Sequence, residues 1–266
     1  MKKRILAVCL LGLFNFLFAV GAGASSDDFV AAKSRLISIL VSHGIGKAEA
    51  EKIFSDERIV LYLEILQKIA KKPSGKKFSY FSPEFGMFTP RSILRGREIM
   101  ERKSEPFTEV ERAYKVEKEA LVAIFRIETN LGENLGQYRV FNSLLTLAAI
   151  KNRRSDWAEK ELISFILLCR RNGLDPLEIK GSWAGAFGFC QFMPSSFMSF
   201  AVDGDGDGRI DLFSVGDAMA SAANYLKKHG WQMGDSNRQL KAVYAYNHSD
   251  EYAKAVLAYA KAIKKK

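Results

Sequence analysis

VEKEALVAIFRIETNL, residues 116–131, reads as one amphipathic helix that stops at Gly132. Leu121 and Ile124 lie seven and four residues before Glu128 and Leu131 three after it, so helical periodicity puts this carboxylate on an apolar face. A carboxylate is out of place there. Burial penalises the charged form and raises a carboxyl pKa, which makes Glu128 a candidate general acid near neutral pH. The same placement also suits a glutamate paired to a buried arginine or capping another element.

The flanking sequence is also helical. SLLTLAAIKN (143–152), DWAEKELISFILLCRRNG (156–173) and SVGDAMASAANYLKKHGW (214–231) carry helical periodicity, and two C-terminal helices follow around Tyr246. Toward the N-terminus, Phe29, Leu36, Ile37, Leu40 and Val41 form one stripe, and Ile59, Tyr62, Leu63, Leu66 and Ile69 another. Between them and the 116–131 helix, KKPSGKKFSYFSPEFGMFTPR (71–91) holds three prolines among aromatics and reads as an irregular crossing segment. The glycine- and aromatic-rich stretch GSWAGAFGFCQFM (181–193) breaks the helical texture again.

DGDGDGRIDLFS (203–214) places Asp203, Asp205 and Asp207 at positions 1, 3 and 5 of an EF-hand-type loop. Gly208 supplies the turn, Arg209 offers its backbone carbonyl and Asp211 stands at position 9. Ser214 replaces the expected final glutamate, and Asp217 is the natural substitute three residues on. Four carboxylates in nine residues repel one another without a cation. The hard oxygen donors favour calcium, and the lack of histidine in the loop disfavours zinc. A metal-free acidic turn is the alternative.

Composition bounds the function. The chain has 266 residues, 48% hydrophobic and 26% charged, with 6 Pro and 20 Gly, which excludes a disordered or collagen-like protein. Lys2, Lys3 and Arg4 precede the apolar run ILAVCLLGLFNFLFAV (5–20) and the small-residue site Ala22-Gly23-Ala24, so residues 1–24 read as a removable export signal. Beyond it, only Cys169 and Cys190 remain, too few for a disulfide framework, and Cys190 reads as a small core residue. The formal charge of +10 and the terminal Lys264, Lys265 and Lys266 suit an anionic partner such as a cell-wall polymer, and no nucleic-acid motif is present.

FRIETNLGENLG (125–136), YRVFNSLLTLAAI (138–150), the run from Asn152 through GSWAGAFGFCQFMPSSF to Phe197, the Asp-Gly loop and YAYNHSDEYAKAV (244–256) resemble, in this order, the lytic murein transglycosylase B family. The resemblance covers about residues 110–257 and is weak over 25–109. It implies a mainly α (α+β) chain: an N-terminal helical region over 25–109 and a lysozyme-like catalytic domain over 110–266, with a small inserted EF-hand-like calcium loop at 203–217. It also implies that Glu128 is the catalytic acid and base, that Ser182, Gln191, Tyr225, Tyr246 and Asn247 line a glycan groove, and that Asp217 is a calcium ligand.

Each groove residue has a plainer role available: a turn hydroxyl for Ser182, a surface amide for Gln191, core rings for Tyr225 and Tyr246, the N-cap of the last helix for Asn247. The expected protein is an exported, monomeric, calcium-braced lytic transglycosylase acting on peptidoglycan glycan strands. A hydrolytic muramidase, which needs a second carboxylate, and an inactive wall-binding protein are the other readings.

Overall fold

Every residue of the ten-residue helix Val140–Ala149 is buried. A helix enclosed on all sides belongs at the centre of a fold, and the rest of the chain is arranged around it. The computed structural model describes residues 26–70, 79–102 and 104–264; the expected signal at 1–24 lies outside them, as do Lys265 and Lys266. In chain order the elements are α1 (Ser26–Ser42), α2 (Lys47–Ile53), α3 (Glu64–Ala70), α4 (Pro90–Arg102), α5 (Ser104–Tyr114), α6 (Lys118–Thr129), β1 (Tyr138–Arg139), α7 (Val140–Ala149), α8 (Ser155–Arg171), β2 (Lys180–Gly181), α9 (Pro194–Phe200), α10 (Val215–Lys228), α11 (Ser236–Tyr246) and α12 (Asp250–Ile263). The fold is mainly helical, with one short antiparallel ribbon pairing Tyr138 with Gly181 and Arg139 with Lys180.

Polar side chains inside α7 tie the N-terminal segments to it. Asn142 Nδ2 donates to the Arg58 carbonyl at 3.0 Å, and the Thr146 hydroxyl accepts from the Tyr62 amide at 2.8 Å while donating to the Asn142 carbonyl at 2.6 Å. α8, α1 and α3 pack on α7. One apolar core therefore runs from Ala32 to Ile263, and residues 109 and 110 both lie within α5.

The second half of the core is α6 with α12, α4, α5 and α10 around it. Arg126, 7% exposed, donates Nε to Ser92 Oγ at 2.8 Å, and Tyr259 on α12 donates to the Ser92 carbonyl at 2.6 Å. A Cβ at Gly96 would stand 2.8 Å from the Tyr259 hydroxyl, so α4 meets α12 where only glycine fits.

Local structure departs from the sequence pattern at three places. The stripe from Ile59 becomes helix only at Glu64, because the Tyr62 amide is spent on Thr146 instead of a helical bond. Val41 is 41% exposed and faces outward. The α6 helix ends at Thr129, before Leu131: Asn130, Leu131 and Gly132 turn left-handed at φ 52°, 61° and 91°. Pro90 opens α4, a position where its missing N–H costs nothing.

The ribbon brings backbones into close contact. Gly136 has φ +97°, and a Cβ there would sit 2.1 Å from the Gly181 backbone. Gly173, at φ +64°, has nothing within 4 Å of the same point. Gly136→Ala is therefore expected to cost about 2–4 kcal/mol and Gly173→Ala about 1 kcal/mol in urea unfolding; equal costs would contradict the close approach.

Candidate active site

Glu128 stands in the last turn of α6, which buries Leu121, Ile124 and Phe125 and so carries the carboxylate down onto the core. The side chain is half-buried and its partner is not an arginine. Tyr252, fully buried on α12, donates its hydroxyl to Glu128 Oε1 at 2.7 Å. Arg126, two residues earlier, is directed to Ser92 and to the Phe85 carbonyl. Burial pushes the Glu128 carboxyl up to about 7, against the opposing pull of the Tyr252 hydrogen bond. The carboxyl is thus held where it can both give and recover a proton at neutral pH.

Tyrosines converge on it from three segments. The Tyr246 ring lies parallel to Tyr252 at 6.4 Å between centres, and Tyr80, from the aromatic segment before α4, meets Tyr252 edge-on at 5.8 Å. Burial and the Glu128 charge together hold the Tyr252 and Tyr246 hydroxyls protonated well beyond their ordinary range.

Tyr246 donates to the Cys190 carbonyl at 2.6 Å, which places the 187–192 turn beside Glu128. That turn is closed by paired backbone bonds between Phe187 and Phe192 at 3.0 and 3.1 Å. Gln191, at φ 47°, donates Nε2 to the Gly188 carbonyl at 2.9 Å and reaches the Leu135 carbonyl at 3.4 Å. It links the turn to the loop that follows α6. Cys190 and Cys169 are free and buried, and burial raises both thiols.

Tyr225 is a half-buried ring behind Tyr246, 4.9 Å away in an edge contact; its hydroxyl donates to the Ala245 carbonyl at 2.8 Å and its face stacks on His229 at 4.0 Å. Ser182 closes the 182–186 turn, its hydroxyl accepting from the Ala186 amide at 3.0 Å. Asn247 is the extended C-cap of α11, and the N-cap of α12 is Ser249, whose hydroxyl accepts from the Tyr252 amide at 3.3 Å. The capping role foreseen for Asn247 thus belongs to Ser249. Asn247 is half-buried beside Tyr246, its backbone amide donating to the Val243 carbonyl at 3.2 Å and its side-chain amide unbonded among the described residues.

Two residues of this cluster, Tyr252 and Tyr80, carry no signal in the sequence pattern beyond a tyrosine on a helical stripe and one in an aromatic-rich segment. Glu133, the carboxylate nearest in sequence, turns away to Arg95 at 2.8 Å and to the Asn130 amide.

The acidic loop lies against the back of the same turn. The Phe189 amide donates to the Leu212 carbonyl at 2.8 Å, and a Cβ at Gly188 would stand 2.4 Å from Leu212 Cβ. Asp203, Asp205 and Asp217 each bring a carboxylate oxygen within 4.8 Å of the others. Asp217, 1% exposed in the first turn of α10, accepts from the amides of Gly204, Asp205 and Asp211, and burial raises its pKa.

Asp207 and Asp211 lie outside the three-carboxylate group, bonded to the amides of Arg209 and Phe213, and Arg209 is exposed. Three converging carboxylates repel unless a cation joins them, and an all-oxygen donor set suits a hard ion such as calcium. Among the described residues no helix is long and apolar enough to cross a membrane.

Residues 28–240 match the transglycosylase SLT domain family. The membrane-bound lytic murein transglycosylase B of Escherichia coli K12 is 35% identical over 199 residues, which are 73% of this chain; the chain spans only 55% of that relative's length. The crystal structure of soluble lytic transglycosylase SltB1 from Pseudomonas aeruginosa superposes with a TM-score of 0.80 at 28% identity, over 87% of this chain and 97% of that one. The Escherichia coli lytic transglycosylase SLT35 in complex with calcium gives 0.78 at 26% identity, over 87% and 92%.

A proton held more tightly by folded Glu128 than by the unfolded chain, whose value is 4.5, makes folding less favourable as pH rises from about 4.5 to about 7. Glu128→Gln removes that loss. Its melting temperature should exceed the parent's above pH 7, by the equivalent of about 3 kcal/mol, with the excess fading as pH falls toward 4.5. A constant difference across that range would show that the carboxyl is not perturbed.

Proposed function

Because the chain belongs to the transglycosylase SLT domain family, we propose that it is a lytic transglycosylase of peptidoglycan and that Glu128 alone moves the protons. The observation that carries this reading is the Glu128 carboxyl raised to about 7 and held by Tyr252, while Glu133 is committed to Arg95. As an acid, Glu128 protonates the oxygen leaving the anomeric carbon of MurNAc. As the resulting carboxylate, it takes the proton of the C6 hydroxyl of the same sugar, whose oxygen attacks that carbon. The glycosidic bond breaks, a 1,6-anhydro ring forms, and the carboxyl ends protonated as it began.

An intramolecular nucleophile has an effective molarity high enough to outrun water. In this reading Tyr246, Gln191 and Asn247 are the nearer part of a binding wall, with Tyr225 behind Tyr246 and Ser182 in its own turn as outer members, rings suiting pyranose faces and amides acetamido and hydroxyl groups. The names of the Escherichia coli and Pseudomonas aeruginosa relatives support the substrate class. The basic, apolar and small-residue order of residues 1–24 supports export.

Calcium belongs to the same proposal. Asp203, Asp205 and Asp217 are the residues that would hold it, with Asp207, Asp211 and the Arg209 carbonyl as further donors; the calcium complex of SLT35 supports this assignment. When bound, the ion would offset part of the negative charge of the loop and stiffen the backbone behind the 187–192 turn, taking no part in bond cleavage.

Digestion of murein sacculi in heavy-oxygen water, read by mass spectrometry, is expected to give unlabelled 1,6-anhydro ends; labelled reducing ends would identify a hydrolase. Glu128→Gln is expected to lose turnover by at least about a hundredfold, and undiminished activity would remove Glu128 from the mechanism. For the loop, millimolar calcium should raise the melting temperature of the parent and leave that of Asp205→Ala unmoved. A chelator without effect on the parent would exclude a calcium site.

A further inference from the structure

Aromatic and cationic side chains meet a second time around the β1–β2 ribbon. A separate small core of Ile65, Leu147, Ala148 and Ala158 is roofed by four half-buried rings, Tyr62, Tyr138, Trp157 and Trp183. Tyr62 meets Tyr138 edge-on at 5.3 Å. Lys68, exposed on α3, donates Nζ to the Tyr138 hydroxyl at 2.9 Å and lies 4.7 Å from the centre of the Tyr138 ring and 5.9 Å from that of Trp183. Among the described residues no carboxylate pairs with Lys68. Its neighbours orient the ammonium without neutralising it.

The ribbon ties this patch to the segments that carry the Glu128 site. Trp183 directly follows Ser182, Tyr138 pairs with Gly181 in the ribbon, and the loop between α6 and Tyr138 carries the Leu135 carbonyl that Gln191 reaches. A glycan strand leaving the site along the ribbon would meet these rings and, beside them, the Lys68 ammonium, held by Tyr138 and paired with no carboxylate among the described residues. Rings cover pyranose faces; an ammonium needs a carboxylate. In murein the glycan backbone is uncharged where its lactyl groups are amidated, and the free carboxylates belong to the peptide stems.

We propose that Lys68, Tyr138 and Trp183 form a subsite for a stem-bearing MurNAc unit, with the sugar against the rings and a stem carboxylate on Lys68. This rests on the glycan reading above and adds to it a preference for strands that keep their peptides.

The test is calorimetric binding to the full chain carrying Glu128→Gln, which prevents turnover. Two probes are compared: GlcNAc-MurNAc bearing a tetrapeptide stem, and the same disaccharide bearing an uncharged alanine amide. An exposed ion pair predicts about a three- to fivefold advantage for the stem-bearing probe, shrinking as salt is added. Adding Lys68→Met should abolish the advantage, and Lys68→Arg should retain most of it; because the readout is a ratio between probes, a general loss of folded protein does not mimic it. An advantage that persists in Lys68→Met overturns the subsite, as does equal binding of the two probes to the parent. Binding of neither probe would overturn the glycan reading itself, and the subsite with it.

Discussion

The hydrogen bond from Tyr252 to Glu128 joins residues 124 apart in sequence across the α6–α12 contact. A carboxyl taken out of water resists ionisation, and a hydroxyl donor restores part of what solvation gave the charged form. Burial wins here, leaving the group near neutrality and not at the 4.5 of an ordinary glutamate. A guanidinium partner would have pinned Glu128 as a permanent anion. The nearby Arg126 is instead engaged by Ser92, and the carboxyl keeps both protonation states within reach.

Much of the molecule serves to hold that pair. Arg126, Ser92 and Tyr259 tie α4, α6 and α12 together beneath it. The Phe85 carbonyl, which Arg126 also reaches, belongs to the segment that brings Tyr80 against Tyr252. On the other side, Tyr246 holds the Cys190 carbonyl, and the acidic loop backs that turn through Phe189 and Leu212. Each tie is a buried or half-buried polar contact between elements distant in sequence, so the site forms only when the whole core does.

The parts legible in the sequence are those with a local period or spacing. Glu128 stands out because a charge interrupts an apolar helical face, and the acidic loop because its carboxylates alternate with glycines. Helical content follows from the 3.6-residue stripes. What the sequence leaves open is set by tertiary partners. Tyr252 is one more aromatic on a helical stripe until folding brings α12 onto α6, and Tyr62 to Thr146, a bond across 84 residues, ends a helical pattern that local propensity would have extended. The spacing of the acidic loop offers Asp203, Asp205, Asp207, Asp211 and the Arg209 carbonyl, with Asp217 as a substitute for the last ligand, whereas among the described residues the carboxylates that converge are Asp203, Asp205 and Asp217. Asn247 and Ser249 are both good capping residues, and backbone geometry chose Ser249.

The protonation state of Glu128 is the quantity on which the chemistry turns. The carboxyl resonance of selectively carbon-13-labelled glutamate, assigned by its absence in Glu128→Gln and followed through a pH titration, reports it directly. A midpoint near 7 that rises when Tyr252 is replaced by Phe is the predicted result. A midpoint at the ordinary glutamate value, indifferent to Tyr252, would contradict it.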